Sequence, residues 1–293
     1  MHVLLAFMIS LCHILNPVKV NEKHDLFIAQ PITFESLRLA KESIRSAQQI
    51  EHLALGYPED AELTPNIFPF RNLPNRSIRN ILHSESVPKL PLLADILHTA
   101  YQNSQADYFI YSNVDISVQP HFYAFVLEQI NAGLDGFIIN RRRIPAGHFS
   151  PDDLPKLYKI KGKPHPGFDC FVFKRELVPK MKLGEVCIGI PFVETTLAHN
   201  LFALCSNFKL FDQEFLTFHL GMEIFKKRNK QLYWHNRKQF FKVVKPALWD
   251  LFDIRKFPYY TAGFPMRYVK WGLNPALFTL MNLKLDLRKT KKK

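Results

Sequence analysis

The sequence predicts an α/β protein in which a mixed, mostly parallel sheet is flanked by helices. Three observations predict it. Short apolar runs rich in aromatic and branched side chains recur at 108–111, 136–140 and 168–173, the composition of buried strands. Apolar residues at helical spacing, such as Leu37, Ala40, Ile44 and Ala47, lie between such runs. A strand, a helix and a strand follow one another between residues 24 and 56, a rhythm that calls for parallel pairing through a right-handed crossover.

Taken in order, residues 1–15 are apolar apart from two His and a Ser, and read as a buried strand region rather than a targeting or anchor segment. Residues 3–20 supply a strand ending near Ile14-Leu15-Asn16-Pro17. The run 24–30, stopped by Pro31, reads as a strand, with Thr33 capping the helix that follows. Residues 52–56 form the next strand. The polar, Pro-rich and Asn-rich stretch 61–87 reads as a long excursion with little regular structure. Pro91 opens a helix over 92–102. The aromatic strand 108–111 then ends in Ser112-Asn113-Val114-Asp115, followed by Pro120 and a helix over 121–130. The strand 136–140 is closed by three arginines, and 145–166 reads as a loop. After the strand 168–173 come turns over 184–191, a helix over 194–204, and an extended run over 210–220.

A chain of 293 residues can bury one large core or two small ones. Its net charge of +13 is unevenly held. Residues 1–221 carry 21 Lys+Arg against 22 Asp+Glu, a balance of −1, whereas residues 222–293 carry 18 against 4, a balance of +14. This divides the chain into a neutral body, 1–221, and a basic, aromatic C-terminal segment, 222–293, helical in parts. The neutral body argues against nucleic acid as its partner. The basic segment suits an anionic membrane surface, or packs on the body with a solvated cationic face. The four cysteines show no CxxC or Cys/His spacing and read as buried free thiols in a reducing, cytoplasmic compartment, with peripheral membrane contact through the tail. There is no internal repeat and neither a GxGxxG nor a P-loop pattern.

A strand that delivers a carboxylate at its C-terminal end is where open α/β sheets place ligands. Asn113 and Asp115, two residues apart, share a face while the chain stays extended, and their oxygens can hold a divalent cation or a sugar hydroxyl. The plainer reading is an Asn/Asp turn after a strand. His219, in Thr-Phe-His-Leu-Gly, either completes a metal sphere or packs at a strand end. Glu194 sits at a helix start, where the helix dipole alone favours an acid.

The order βαβ, excursion, helix, aromatic strand, then x-Asn-x-Asp-Ile with a Pro and a helix, resembles the GT-A glycosyltransferases over residues 24–221. The resemblance implies a Rossmann-like GT-A sandwich, with Asn113-Val114-Asp115 in the place of the DXD motif and Asn113 replacing its first Asp. It implies a donor that is a nucleotide-diphosphate sugar, a glycan, lipid or protein hydroxyl as acceptor, and a Mn²⁺ or Mg²⁺ held by Asp115, Asn113 and His219. Glu194 matches the place of the base that deprotonates the acceptor in inverting members, without the Asp that usually follows. Asp169 is the second catalytic candidate, or a sugar contact. Asp60, in Tyr-Pro-Glu-Asp, matches the place that receives the nucleotide base, unless it only closes a turn. Arg142 represents the arginine run as a clamp on the diphosphate, against a solvated charge. Two other readings stand beside this one: a non-catalytic basic protein on a degenerate α/β body, binding a membrane or nucleic acid, and a sugar nucleotidyltransferase. The second lacks its usual N-terminal glycine-rich signature.

Overall fold

Alternation along the first strand sorts the molecule into layers. In β1 (Leu11–Leu15), Cys12 and Ile14 join the core on one side, while Leu11 and Leu15 join the core on the other. The computed structural model describes residues 9–45, 49–145, 147–220, 229–274 and Leu277. Within them the strands that follow are β2 (Ile50–Gly56), β3 (Phe70–Asn72), β4 (Tyr108–Ser112), β5 (Ser117–Val118) and β6 (Gly136–Ile139). Then come β7 (Arg142–Ile144), β8 (Lys163–Pro164), β9 (Cys170–Lys174), β10 (Phe208–Phe211) and β11 (Thr217–Leu220). The helices are α1 (Asp25–Glu42), α2 (Ile78–Leu82), α3 (Leu93–Asn103), α4 (Phe122–Asn131), α5 (Leu154–Leu157), α6 (Val193–Leu204), α7 (Lys230–Gln239), α8 (Lys245–Leu248) and α9 (Met266–Leu273).

The main sheet has seven strands in the order β10-β6-β9-β4-β1-β2-β3. All neighbours are parallel except the two pairs made by β9, which runs against β4 and β6. Helices α1 and α4 cover the face of Leu11 and Leu15, with Phe34, Leu37, Phe122 and Val126 buried there. Helices α3 and α6 cover the face of Cys12 and Ile14, with Ile96, Leu97, Leu197 and Leu201. This is the Rossmann-like α/β sandwich expected: a mixed, mostly parallel sheet between two helical layers. A second sheet, β5-β11-β7-β8, stands at the C-terminal ends of β4 and β6.

The expected strand at 24–30 is instead the start of α1. His24 caps it, its Nδ1 accepting from the Leu26 N–H at 3.2 Å, and Asp25 favours the positive helix end. Pro31 lies inside the helix on its exposed side, while Ala29, Ile32 and Thr33 turn inward. Four apolar residues, 26–29, fit either period, and burial decides for the helix. The partner strand of this βαβ unit is β1, which the expected strand within 3–20 contains. The stretch 61–87 holds β3 and α2, and the loop 145–166 holds α5 and β8. The run 210–220 divides into β10 and β11, which belong to different sheets.

The four cysteines are free and buried. No helix among the described residues is long and apolar enough to cross a membrane. Helix α7 runs through a π-helical turn (Phe240–Val244) into α8, and their apolar side packs on Phe192 beside α6. The clusters Lys226-Lys227-Arg228 and 289–293, residues 1–8, and the apolar stretch 276–287 apart from Leu277 lie outside the described residues.

Candidate active site

Pairing registers assemble the site at the C-terminal edge of the main sheet. Strand β9 pairs Cys170 with Ser112 on one side and with Ile139 on the other. One step further along each ladder, Asp169 stands between Asn113 and Asn140. Strand β11 pairs Phe218 antiparallel with Ser117 and parallel with Arg142. That register carries His219 back beside the turn that follows β4. Asp115 and His219, 104 positions apart, meet there: Nε2 of His219 donates to Oδ2 of Asp115 at 3.0 Å.

Both side chains are largely buried. Burial by itself would raise the Asp115 carboxyl. The hydrogen bond and charge of His219, joined by the nearby Arg141, outweigh it and hold the group below the usual carboxylate range. The other oxygen, Oδ1, is buried with no hydrogen-bond partner among the described residues. The same holds for Oδ1 of Asn140 and Nε of Arg143, whose residue is in register with His219. Buried polar atoms are normally paired, so the unpaired Asp115 oxygen beside the His219 contact suits a polar ligand.

The arginines divide by strand alternation. Arg142 is buried and points away, its guanidinium donating to the carbonyls of Lys161 and Gly162, the latter at 2.8 Å. It holds the second sheet to the 161–162 loop, and so is not the residue brought to the cluster. Arg141 is: it forms an ion pair with Asp169 and bears electrostatically on Asp115. His165 lies 3.5 Å from Asp169, but its Nδ1 already accepts from the Gly167 N–H at 3.0 Å, so it offers that carboxylate no proton.

Glu194 occupies the first turn of α6. The buried Tyr111 hydroxyl is raised first by burial and then by the carboxylates of Glu194 and Asp115, which therefore both lie near this phenol. The approach to α6 is unusual. Phe192, fully buried, adopts φ +88°, a left-handed conformation strained for a bulky side chain. Tyr233, Phe240 and Phe241 hold its ring at 5.6, 5.7 and 6.0 Å between centroids. Asn236 fixes the preceding loop, accepting from the Cys187 N–H at 3.0 Å and donating to the carbonyls of Cys187 at 2.8 Å and Pro191 at 3.1 Å. The C-terminal helices thus shape the loop-to-helix step that presents Glu194.

Asp60 lies elsewhere, at the end of β2. Its oxygens accept from the backbone N–H groups of Lys19 at 2.8 Å and Tyr57 at 3.1 Å. Burial raises this carboxyl, only partly opposed by those two hydrogen bonds. It ties the segment after β1 to the turn after β2.

No group of three or more His, Cys, Asp or Glu converges among the described residues. A divalent cation fits here only as such ions sit in phosphate-binding sites, with one or two protein ligands and the rest of the shell from phosphate and water. Asp115 and His219 are the two side chains whose donor atoms would suit such an ion, and His219 Nε2 would have to be free of its proton to bind it.

The sequence matches no protein-family model and no curated protein. Solved structures offer distant likenesses. TarS residues 1–349 of S. aureus in complex with UDP has 8% identity and a TM-score of 0.46, over 90% of this chain and 78% of that one. Against a longer TarS chain the match spans 37% of its length. Glucosyl-3-phosphoglycerate synthase from Mycobacterium tuberculosis, in complex with Mn²⁺, UDP and glucosyl-3-phosphoglycerate, has 13% identity and a TM-score of 0.43, over 82% of this chain and 80% of that one. At this distance nothing of their chemistry transfers to this chain.

Proposed function

We propose that the protein transfers a sugar from a nucleotide-diphosphate sugar to a hydroxyl acceptor. One observation carries this: the buried Asp115–His219 pair at the C-terminal end of β4, with Asp115 Oδ1 unpaired beside it. Asp115 and His219 hold the divalent cation, with Asn113 contributing its amide oxygen to the ion or to the ribose. Bound there, the cation neutralises charge on the departing diphosphate. Arg143 and Arg141 line the same edge for its phosphate oxygens. Glu194 takes the proton of the acceptor hydroxyl as its oxygen bonds to the anomeric carbon and the bond to the diphosphate breaks. Asp169 positions Arg141, because a carboxylate locked to a guanidinium is a poor base.

A non-catalytic reading draws on a different observation. Asp60 and Arg142, both expected to touch the donor, are engaged by backbone groups instead. Thermal unfolding with UDP-, GDP- and CMP-sugars, with and without Mn²⁺, separates the two. Stabilisation by one nucleotide sugar that needs the metal and is lost in Asp115→Ala supports the transferase, and release of nucleotide diphosphate on adding acceptor completes it. No stabilisation by any donor sinks it.

A further inference from the structure

The exposed apolar side chains are concentrated in one stretch of the chain. Of twelve large apolar side chains exposed among the described residues, nine lie between 243 and 273. Helix α9 explains why. Met266, Val269 and Leu273 recur at i, i+3 and i+7, so they form one stripe, and that stripe faces solvent: they are 53%, 49% and 69% exposed. The opposite side is the one that docks. Trp271 packs on Phe257 at 5.7 Å and donates from Nε1 to the Pro258 carbonyl, while Arg267 stacks over Tyr260 at 4.4 Å. Phe264, just before the helix, is 83% exposed and contacts only the exposed Tyr268 among the rings. An amphipathic helix anchored by its aromatic and cationic side, with its aliphatic side outward, has an unpartnered face.

Charge selects the occupant. Residues 229–274 hold nine Lys+Arg against two acids, and Lys270 stands within the stripe. A second copy would bring the same positive surface and is repelled. The stripe is aliphatic, and among the exposed large side chains of 264–273 only Phe264 and Tyr268 offer nucleic-acid bases a ring to stack on. We infer that α9 and Phe264 form a membrane-docking surface that inserts its apolar side chains among the acyl chains of an anionic lipid layer while the cations meet the headgroups. This goes beyond the transfer reaction and does not depend on it.

Co-sedimentation of the full chain with phosphatidylcholine vesicles, with and without phosphatidylserine, tests this. The expected result is binding to the anionic vesicles that weakens with salt. Met266→Ser/Val269→Ser/Leu273→Ser lowers it by about tenfold or more, with an unchanged unfolding temperature. Lys270→Glu, which removes a headgroup-facing cation and its contact over the Tyr259 ring, weakens it in the same assay. Equal binding by wild type and the triple variant overturns the proposal. So does a concentration-dependent dimer in sedimentation velocity that the triple variant abolishes, since a second copy then covers the stripe. Binding to single-stranded nucleic acid with no binding to vesicles overturns it in favour of that ligand.

Discussion

Arg141, Arg142 and Arg143 are consecutive in sequence and divergent in use. Arg142 answers two loop carbonyls inside the second sheet, whereas Arg141 pairs with Asp169 and Arg143 is in register with His219. A buried guanidinium whose hydrogen bonds all go to backbone carbonyls of one loop should matter to stability and not to ligand affinity. Arg142→Met is therefore expected to lower unfolding free energy by about 1–3 kcal/mol in urea titration, with nucleotide affinity retained. Arg143→Met should do the reverse, leaving stability within about 0.5 kcal/mol and weakening nucleotide diphosphate binding in calorimetry. A swap of these outcomes would return the phosphate role to Arg142. Arg141 is a poorer probe, because removing it strands the buried Asp169 carboxylate. Period-2 alternation held the clue: had the strand been carried past Asn140, residues 141 and 143 would have shared a face opposite 142.

At the scale of elements, helix α7 lies outside the site, yet it sets the step into α6. Asn236 makes both ends of its amide available to the backbone of 187–191, and Phe192 keeps its strained φ only because aromatic rings from 233–241 enclose it. The helix N-terminus carrying Glu194 is thus held by residues some forty positions later. Asn236→Ala should cost about 1–3 kcal/mol by leaving buried backbone groups unpaired. It should also raise hydrogen exchange selectively at the amides of 187–192 and lower turnover more than donor affinity. Uniform exchange across the chain, or a change in donor affinity alone, would show that α7 does not position Glu194. Nothing in 230–239 signals this role locally, since an Asn on a helix looks like any surface residue until its partners are known.

For the whole molecule, the layered core includes titratable groups that the site does not use. His13 and His52 share the hydroxyl of Tyr123, at 3.0 and 2.8 Å, between β1, β2 and α4. His199 donates to the Thr195 carbonyl at 2.8 Å inside α6. Burial pushes His52 and His199 down to about 3, and His13 well below its usual range. Each is neutral when folded and takes up a proton near its ordinary pKa when unfolded. Stability is therefore complete above that ordinary value and falls as pH drops towards the folded pKa. Each group contributes a slope of about 1.4 kcal/mol per pH unit in that window. Unfolding temperature should decline steadily from about pH 6 to pH 4. His52→Gln, which keeps a hydrogen bond to Tyr123 without titrating, should flatten the decline. An unchanged slope would mean that His52 is already protonated in the folded protein.

Local sequence determined the parts whose signal is local. Strand composition marked β2, β4, β6 and β9, helical spacing marked α3, α4 and α6, and the placement of Asp115, Asp169, Glu194 and His219 at element ends followed from those boundaries. Isolated thiols and the division of charge were equally legible, because they are counts. Tertiary structure decided what depends on pairing between distant segments. Whether 24–30 became strand or helix turned on which face was buried, since four apolar residues satisfy both periods. Asp60 and Arg142 answer the backbone of turns and loops packed beside them, whereas that Asp115 touches His219 and that Asp169 takes Arg141 follows from register between strands far apart in the chain. Register is set by the packing of all seven main strands and the sheet beside them, and a one-residue slip would have turned every one of these side chains to the other face.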